Sequence, residues 1–311
     1  MTSRERLMKT LRFEEPDRPP HFEHTFELVE EAFGLSYPGE DKMNASTGLE
    51  RERLFGQCAE VYTRIVERFE WDAVLVWRPA MRNSAQYEFI PFLKRYLGSD
   101  IPVGSFVWDS AICIDTVKDY MQFSIDLFED RGKLHKWAEE MLDGALKHAE
   151  RLIDAGCDLI SINNDYAFNS GTFVSPEDFA ELTTPYMKEL VGFIKKQNVK
   201  VIFHSDGNLM SVLDQIIVIN PDVLHSIDPM AGMDMAEVKK QTYGKIALMG
   251  NVQCNLLQDG PDEKIIESAK YAINHGSPGG GYIFSSSNTI FKGLPLRNYE
   301  IVLEYFQKRF M

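Results

Sequence analysis

The sequence predicts a single-domain (β/α)8 barrel, a TIM-type α/β fold, over residues 1–311. Eight short apolar runs with the length of strands recur along the chain, and amphipathic helical stretches separate them. Strands that alternate with helices pair in parallel through right-handed crossovers. Eight such units in about 300 residues fit a closed barrel. The alternative, a doubly wound sheet, normally carries a glycine-rich turn after its first strand, and that turn is absent here.

The strand candidates begin near Pro20 and end at Ser286, and no internal repeat or Pro-rich linker divides them. In chain order they are RPPHFEH from Arg18, DAVLVW from Asp72, IPVGSFVW from Ile101, CDLISIN from Cys157, KVIFHS from Lys200, DVLHSID from Asp222, KIALMGN from Lys245 and GGYIFSS from Gly280. The charged stretch before the first strand has a helical pattern. We therefore expect an N-terminal helical extension of the barrel.

Helix signals fill the intervals between the strands. The stretch from Asp130 to Gly156 is amphipathic and closes on a glycine, as a helix C-terminus does. The stretch SPEDFAELTTPYMKELVGFIKKQ opens with Ser175 as the N-cap, Pro176 at the first helical position and acidic residues in the first turn. The sequence predicts one helix for each of these stretches.

Charge and cysteine content exclude several classes of function. The chain carries 47 acidic and 33 basic residues, a net charge of -14, so its surface should repel nucleic acids and anionic membranes. The four cysteines are far apart and lack C-x-x-C spacing, which argues against a zinc finger or a redox dithiol. Without a signal sequence or an apolar run of about 18 residues, we expect a cytoplasmic protein, monomeric or homodimeric.

The C-terminal ends of the strands carry the functional groups in barrels of this type. In this sequence those ends are polar, with His21, Glu23, Arg78, Asp109, Asn163, Asp165, His204, Asp206, Asp228, Asn251, Ser286 and Asn288. Residues two apart on a strand share a face, so His204 and Asp206 should point the same way. Aromatic residues near this end, such as Trp77, Trp108, Tyr166 and Phe291, would suit a planar ligand, although core packing explains them as well.

His204 and Asp206 are open to three interpretations: a metal site, an acid/base pair, or a helix cap provided by Asp206. For Asp228 and Asn251, a loop hydrogen bond is as good an explanation as a substrate contact. We expect His24, His135, His148 and His275 to lie on solvated or helical faces. His225 is expected to be a hydrogen-bonded core histidine.

Six stretches together resemble the uroporphyrinogen decarboxylase superfamily, which also contains corrinoid-linked methyltransferases on the same barrel. They are RERLMKTLRFEEPDRPP, SPEDFAELTTPYMKELV, HSDGNL, DVLHSIDPMAGMD, GKIALMGNV and GGGYIFSSSN with the following GLPLRNYEIVLE. True decarboxylases have a basic MRQAGRY-like segment after the first strand and an aspartate after the second. This chain has FEHTFELVEEAF and VLVWRPAM instead, so the resemblance implies the methyltransferase branch rather than porphyrin decarboxylation.

That branch typically binds zinc through an H-x-C motif and a later cysteine. Here the matching positions are His204-Ser205-Asp206 and the region of Asn288. The resemblance therefore implies a zinc site with nitrogen and oxygen ligands, formed by His204 and Asp206 together with Glu23 or Asp165. Such a site is a Lewis acid suited to demethylating an ether or amine.

The function expected from this resemblance is methyl transfer between a small methylated substrate, such as a methoxyaromatic in an O-demethylase system, and a cobalamin. The sequence lacks a D-x-H-x-x-G motif, so a partner corrinoid protein must supply the cobalamin. We predict catalytic roles for His204, Asp206 and Asp165. We predict substrate contacts for His21, Glu23, Asn163, Asp228, Asn251 and Asn288. The alternatives are a lyase or decarboxylase acting on a small carboxylate, and a ligand-binding barrel without chemistry.

Overall fold

The structure is a computed structural model that describes residues 1–79 and 84–310. Its strands are β1 Val74–Leu75, β2 Val103–Trp108, β3 Leu159–Asn163, β4 Ala167–Phe168, β5 Gly171–Thr172, β6 Lys200–His204, β7 Val223–His225, β8 Ala247–Val252 and β9 Tyr282–Ser286. Seven of them form one parallel sheet in the order β1-β2-β3-β6-β7-β8-β9, while β4 and β5 form a small antiparallel pair. Six of the seven sheet strands lie entirely within segments predicted from the sequence, and β8 extends one residue beyond its predicted segment, to Val252.

The segment around His21 closes this sheet into a barrel. The Phe284 amide on β9 donates to the Pro20 carbonyl at 2.8 Å, and the Asp72 amide before β1 donates to the His21 carbonyl at 2.7 Å. The segment forms only isolated bridges, at His21 and Phe26, instead of the regular strand predicted from Arg18 to His24. Two consecutive prolines explain the difference, because proline has no N–H to donate to a strand ladder. The (β/α)8 fold class is confirmed.

Helices cover the outside of the barrel. They are α1 Ser3–Leu11, α2 Val29–Phe33, α3 Glu40–Ala45, α4 Gly48–Phe69, α5 Ser84–Leu97, α6 Tyr120–Glu129, α7 Arg131–Asp154, α8 Pro176–Leu182, α9 Thr184–Lys196, α10 Leu213–Ile219, α11 Met235–Thr242, α12 Cys254–Asp259, α13 Asp262–Gly276 and α14 Leu296–Phe310. Short 3-10 turns occupy Met210–Val212 and Pro229–Ala231. Within the described residues, no helix combines the length and the apolar character needed to span a bilayer.

The stretch from Ser175 to Gln197 forms two helices, α8 and α9, instead of the single helix predicted. Ser175 caps α8 as expected, with its hydroxyl accepting from the Asp178 amide at 3.1 Å. The break falls at Thr183, whose φ of -119° departs from helical geometry. Pro185 follows two residues later and lacks the amide that a continuous helix would need at that position.

The N-terminal end of the barrel is held by a buried cluster of paired charges around Asp72. The Asp72 carboxylate is fully buried and accepts from Arg6 and from Arg18, each at 2.6 Å. The backbone amide of His21 donates to the same carboxylate at 2.8 Å. Helix α1, which carries Arg6, is thereby attached to the first strands of the barrel.

Candidate active site

Strand register places four residues at one level of the barrel, among them the predicted site residues Asn163 and His204. Trp108 at the end of β2 pairs with Asn163 on β3, and Asn163 pairs with His204 on β6. His204 in turn pairs with His225 on β7. These residues are at or near the C-terminal ends of four adjacent parallel strands, which is the functional end of this fold.

A cavity of about 190 Å³ opens at this end. The predicted residues Asn163, Asp165, His204, Asp206 and Asn288 all line it. Further lining groups come from His24, Thr25, Trp77, Trp108, Asp115, Asn164 and Thr289. The structure thus brings five of the nine predicted site residues to one cavity, whereas their roles remain predictions.

Hydrogen bonding fixes the protonation pattern of the two neighbouring histidines. Nε2 of His225 lies 3.3 Å from the Ser286 carbonyl, which can only accept, so this nitrogen carries a proton. Burial holds the pKa of His225 well below its usual range, so the ring is neutral and its Nδ1 is an acceptor. Nδ1 of His204 lies 2.8 Å from that atom and must donate to it. In neutral His204, the free lone pair is therefore on Nε2.

His24 is the main correction to the sequence-based view of the histidines. It was expected on a solvated or helical face, but it is only 3% exposed and stacks on both His204 and His225 at ring distances of 4.5 and 4.6 Å. Burial and the two neighbouring imidazoles keep the pKa of His24 well below its usual range. The closing segment is buried on both of its faces, so alternation along the sequence could not show which residues meet the cavity.

Among the described residues, neutral donors rather than a basic side chain hold the Asp206 carboxylate. Ser226 Oγ donates to Asp206 Oδ1 at 3.1 Å, and the Asn288 amide donates to the other oxygen. The backbone amide of Asp206 donates to Asp165 Oδ1 at 2.9 Å. Burial raises the pKa of Asp206, and repulsion from Asp165 and Asp228 adds to this effect. None of the described contacts of the Asp206 carboxylate is the helix cap considered from the sequence.

The loop that carries Asp206 depends on Gly207. Its φ of +82° lies in the left-handed region, and a Cβ atom there would be 2.2 Å from the Ala167 carbonyl oxygen. Only glycine permits so close a contact between this loop and β4. The packing fixes Asp206 next to Asp165.

Four of the predicted substrate contacts lie outside the cavity lining. His21 places Nδ1 3.1 Å from the Phe284 carbonyl, within the barrel core. Glu23 accepts from the amide and the hydroxyl of Ser286 at 2.9 and 2.6 Å, and burial raises its pKa to about 7. Asp228 caps the turn after β7, accepting from the Met230 amide at 2.9 Å. Asn251 donates to the Ile227 carbonyl at 3.0 Å.

Within the part of the chain that the structure describes, two groups of side chains have the spacing of metal ligands. Asp165, His204 and Asp206 offer one ligand atom each within 4.8 Å of one another, and so do His24, His204 and His225. The first group fits a divalent ion better, because the second would have to break the hydrogen bond between His204 and His225. Glu23 belongs to neither group among the described residues. The described cavity lining also contains no cysteine, so a thiolate-rich zinc site does not fit.

Residues 55–309 match the family described as "Uroporphyrinogen decarboxylase (URO-D)". The chain belongs to the uroporphyrinogen decarboxylase family. It is 24% identical over 224 residues to uroporphyrinogen decarboxylase from Trichodesmium erythraeum, covering 68% of this chain and 60% of that protein. It is 26% identical over 279 residues to the enzyme from Chlorobium phaeobacteroides, covering 86% and 76% of the two chains. The chain therefore spans only about 60% of the length of the first of these relatives.

The fold is also that of a "methyltransferase from Methanosarcina mazei". The two structures superimpose with a TM-score of 0.80 over 100% of each chain, at 17% sequence identity. At this identity the likeness concerns the fold. The family match over residues 55–309 confirms the resemblance to the uroporphyrinogen decarboxylase superfamily found in the sequence.

Several lining residues were missed from the sequence. Thr25 and His24 lie on the closing segment, and Asp115 lies in the loop after β2, away from any strand end. Asn164 was within reach of sequence analysis, because it stands between Asn163 and Asp165 at the end of β3. Its amide donates to Ser110 at 2.8 Å and to Tyr166 at 3.1 Å, which orders the cavity wall.

Proposed function

We propose that this protein is a corrinoid-protein-dependent methyltransferase that binds a small methylated substrate at the C-terminal end of the barrel. The observation that carries the proposal is the small cavity in which Nε2 of His204 lies beside Asp165 and Asp206, 4.0 Å from the Asp165 carboxylate. Membership of the family and the fold shared with a methyltransferase support it. The cobalamin would be supplied by a partner corrinoid protein.

The cavity argues against a large polycarboxylate substrate. Its volume of about 190 Å³ is below that of typical pockets for drug-sized ligands, which begin at about 300 Å³. Its three carboxylates, Asp115, Asp165 and Asp206, would repel the acid groups of a tetrapyrrole. A small neutral or cationic methyl compound is the better fit.

His204, Asp165 and Asp206 would carry the chemistry. A divalent metal such as zinc, held by these three residues, would act as a Lewis acid toward the leaving oxygen or nitrogen of the substrate. Without a metal, Asp206 or His204, each in its protonated form, can donate the proton that a leaving oxygen requires. Asn163 and Asn288 would hold the substrate through their amide groups. Methoxyaromatic ethers are among the methyl donors to test.

Decarboxylation or lysis of a small carboxylate is the second candidate. The observation that favours it is the raised pKa of Asp206, caused mainly by burial, which suits a proton donor at neutral pH. The negative charge of the cavity disfavours a carboxylate substrate. Product analysis by mass spectrometry separates the two reactions, because only decarboxylation releases carbon dioxide.

The test is a spectroscopic assay that follows methylation of the reduced cobalt of a corrinoid protein. Methoxyaromatics, methylamines and methyl thiols serve as donors, and His204→Gln is compared with His275→Gln, an exposed histidine on α13. We expect turnover that survives in His275→Gln and is lost in His204→Gln. Absence of turnover with every donor would contradict the proposal and leave a binding barrel without this chemistry.

Zinc content supplies a second readout of the same site. Metal analysis of purified protein should find a divalent ion in the wild type and in His275→Gln, and much less in His204→Gln. Equal metal content in all three proteins would show that His204 is not a ligand. The histidine would then act as an acid or base.

A further inference from the structure

We propose that the cavity selects a methylated organic cation, a small quaternary ammonium or sulfonium compound. This inference deepens the proposed function, and its role in methyl transfer rests on that function. The preference for a cation itself is a property of the cavity and can be measured without any corrinoid protein. Charge, an exposed aromatic wall and an unpartnered hydroxyl point to it separately.

The first observation is negative charge that no described lysine or arginine of the lining compensates. Asp115 lies outside the proposed metal ligands, so its charge remains even when a divalent ion is bound. Asp115, Asp165 and Asp206 line the cavity, and the described lining residues include no lysine or arginine. All three carboxylates lie in the wall of one small cavity, where their negative charges repel one another. A bound cation would relieve this repulsion, whereas a carboxylate ligand would increase it.

The second observation is the aromatic wall formed by Trp108 and Trp77. The Trp108 side chain is 43% exposed, and its ring lies 5.2 Å from that of Trp77 and stacks on Phe106 at 5.4 Å. Tryptophan is the side chain that binds a cation most strongly through its ring face. A large ring fixed at the cavity edge and left exposed is therefore suited to a methylammonium group.

Arg78 shows that one ring of this wall already contacts a cation. Its guanidinium lies 5.1 Å from the centre of the Trp77 ring. The charge of Arg78 is paired with Glu27 at 3.1 Å and with Glu40 at 2.8 Å, and Arg78 is not part of the cavity lining. It therefore leaves the carboxylates of the cavity unneutralised.

The third observation is Thr25. The residue lines the cavity and is only 5% exposed, and its hydroxyl has no hydrogen-bond partner among the described residues. Buried hydroxyls without partners are rare and costly, so this group indicates a polar atom on the ligand. A cation that carries a hydroxyl near its methylated nitrogen, as choline does, would meet both Thr25 and the aromatic wall.

Methyl transfer from such a donor is chemically balanced. The carbon–nitrogen bond breaks and its electron pair stays on nitrogen, which leaves as a neutral tertiary amine. The methyl carbon bonds to cobalt through the electron pair of the reduced corrinoid, which is formally oxidised by two electrons. No proton is needed, whereas an ether donor must receive one on its leaving oxygen.

The test is calorimetric binding of choline, tetramethylammonium and trimethylsulfonium to the wild-type protein. The neutral isostere of choline, 3,3-dimethylbutan-1-ol, and the carboxylate vanillate are the comparison ligands. We expect at least one cation to bind, and choline to bind about tenfold more tightly than its isostere, a difference of about 1.4 kcal/mol. No binding of any cation, or equal or tighter binding of the isostere or of vanillate, would overturn the inference.

Matched variants locate the binding site. Trp108→Leu and Asp115→Asn should each weaken cation binding by roughly threefold or more. Their controls, Tyr96→Leu on α5 and Asp143→Asn on α7, remove an exposed aromatic ring and an exposed carboxylate elsewhere and should leave binding unchanged. Circular dichroism checks that each variant is folded. Unchanged affinity in both cavity variants would place cation binding elsewhere and overturn the inference.

The two proposals fail in different ways. Cation-selective binding without methylation of cobalt would contradict the methyltransferase function and leave the binding inference intact. Methylation of cobalt by a methoxyaromatic, without measurable binding of any cation, would support the function and overturn the inference.

Discussion

Carboxylates at the two ends of the barrel have different partners: arginines at the N-terminal end and neutral hydrogen-bond donors at the C-terminal end. At the N-terminal end, Asp72 is fully buried and paired with Arg6 and Arg18, each at 2.6 Å. At the C-terminal end, Asp206 and Asp165 face a cavity and are held by Ser226, Asn288 and a backbone amide. At the N-terminal end the charge of Asp72 is neutralised by arginines, which stabilises the fold. At the C-terminal end Asp165 and Asp206 repel each other, and a bound ligand can relieve that repulsion. This division agrees with the general behaviour of (β/α)8 barrels.

Removing the buried charge at the N-terminal end should have the largest effect on stability. Asp72→Asn leaves the guanidinium of Arg18 without its carboxylate and weakens the contacts of Arg6. Breaking a buried ion pair costs about 3–5 kcal/mol, so urea unfolding should show a loss of that order. Asp143→Asn, an exposed carboxylate on α7, is the control. A loss under about 1 kcal/mol would show that the cluster around Asp72 is not what holds this end together.

Buried histidines at both ends should make the protein sensitive to acid. Burial lowers the pKa of His21 to about 4 and holds those of His24 and His225 well below their usual range. In the unfolded chain these histidines have a pKa of about 6.5, so above that pH they are neutral in both states and the free energy of unfolding is at its full value. As the pH falls from about 6.5 toward the lower pKa values of the folded state, the unfolded chain binds more protons than the folded one, and the protein loses stability. His21 alone should account for about 3 kcal/mol once the pH falls below about 4.

The measurement is urea unfolding between pH 7 and pH 4, comparing the wild type with His21→Gln. The wild type should lose stability steadily as the pH falls from 6.5, and the variant should show a shallower slope. Glu23 has the opposite effect on stability. Burial raises its pKa to about 7, so as the pH rises toward 7 the unfolded chain releases a proton that the folded protein keeps, and the free energy of unfolding falls. Identical slopes in the two proteins would contradict the assignment to His21.

The loop at the C-terminal end should tolerate no side chain at Gly207. Gly207→Ala would force a Cβ atom against the Ala167 carbonyl at a positive φ, which should cost about 1–3 kcal/mol and displace Asp206. Gly192→Ala within α9 is the matched control, since a Cβ there meets nothing within 4 Å. That control should stabilise the protein by about 0.5–1 kcal/mol. Equal responses of the two variants in thermal unfolding would show that the close contact at Gly207 is dispensable.

Neutralising Asp206 should have the smallest effect on stability. Asp206→Asn keeps the shape of the side chain and removes repulsion from Asp165 and Asp228. The free energy of unfolding should therefore change by less than about 1 kcal/mol, in contrast to the larger loss expected for Asp72→Asn. A loss as large as that of Asp72→Asn would remove the distinction between the two ends.

The barrel was predictable from the sequence because its signals are local. Each strand is a short apolar run, and the helix signals around Ser175 and Gly156 depend on neighbouring residues only. The shared cavity of His204, Asp206 and Asp165 followed from strand parity and from the rule for parallel strand ends. The split between α8 and α9 differs from the single helix predicted, because Pro185 interrupts the backbone hydrogen bonding while the helical pattern of side chains continues on both sides of it.

The remaining part of the candidate site depends on long-range packing. The stacking of His24 on His204 and His225 joins residues about 180 to 200 positions apart, and no local pattern specifies it. The closing segment is buried on both faces, so its sequence could not show that His24 and Thr25 line the cavity while His21 and Glu23 do not. Asp115 reaches the cavity from a loop, where strand parity gives no guidance.

The central claim is that the C-terminal cavity is the functional end of the barrel. Its most direct test is the rate of corrinoid methylation by a methoxyaromatic donor, whose leaving oxygen must receive a proton, per folded molecule of the wild type and of Asp206→Asn. Urea unfolding of the same preparations confirms that the two proteins are equally stable. We expect the rate to fall about a hundredfold or more in Asp206→Asn, while its free energy of unfolding changes by less than about 1 kcal/mol. A variant that keeps the wild-type rate would contradict the assignment of catalysis to this cavity.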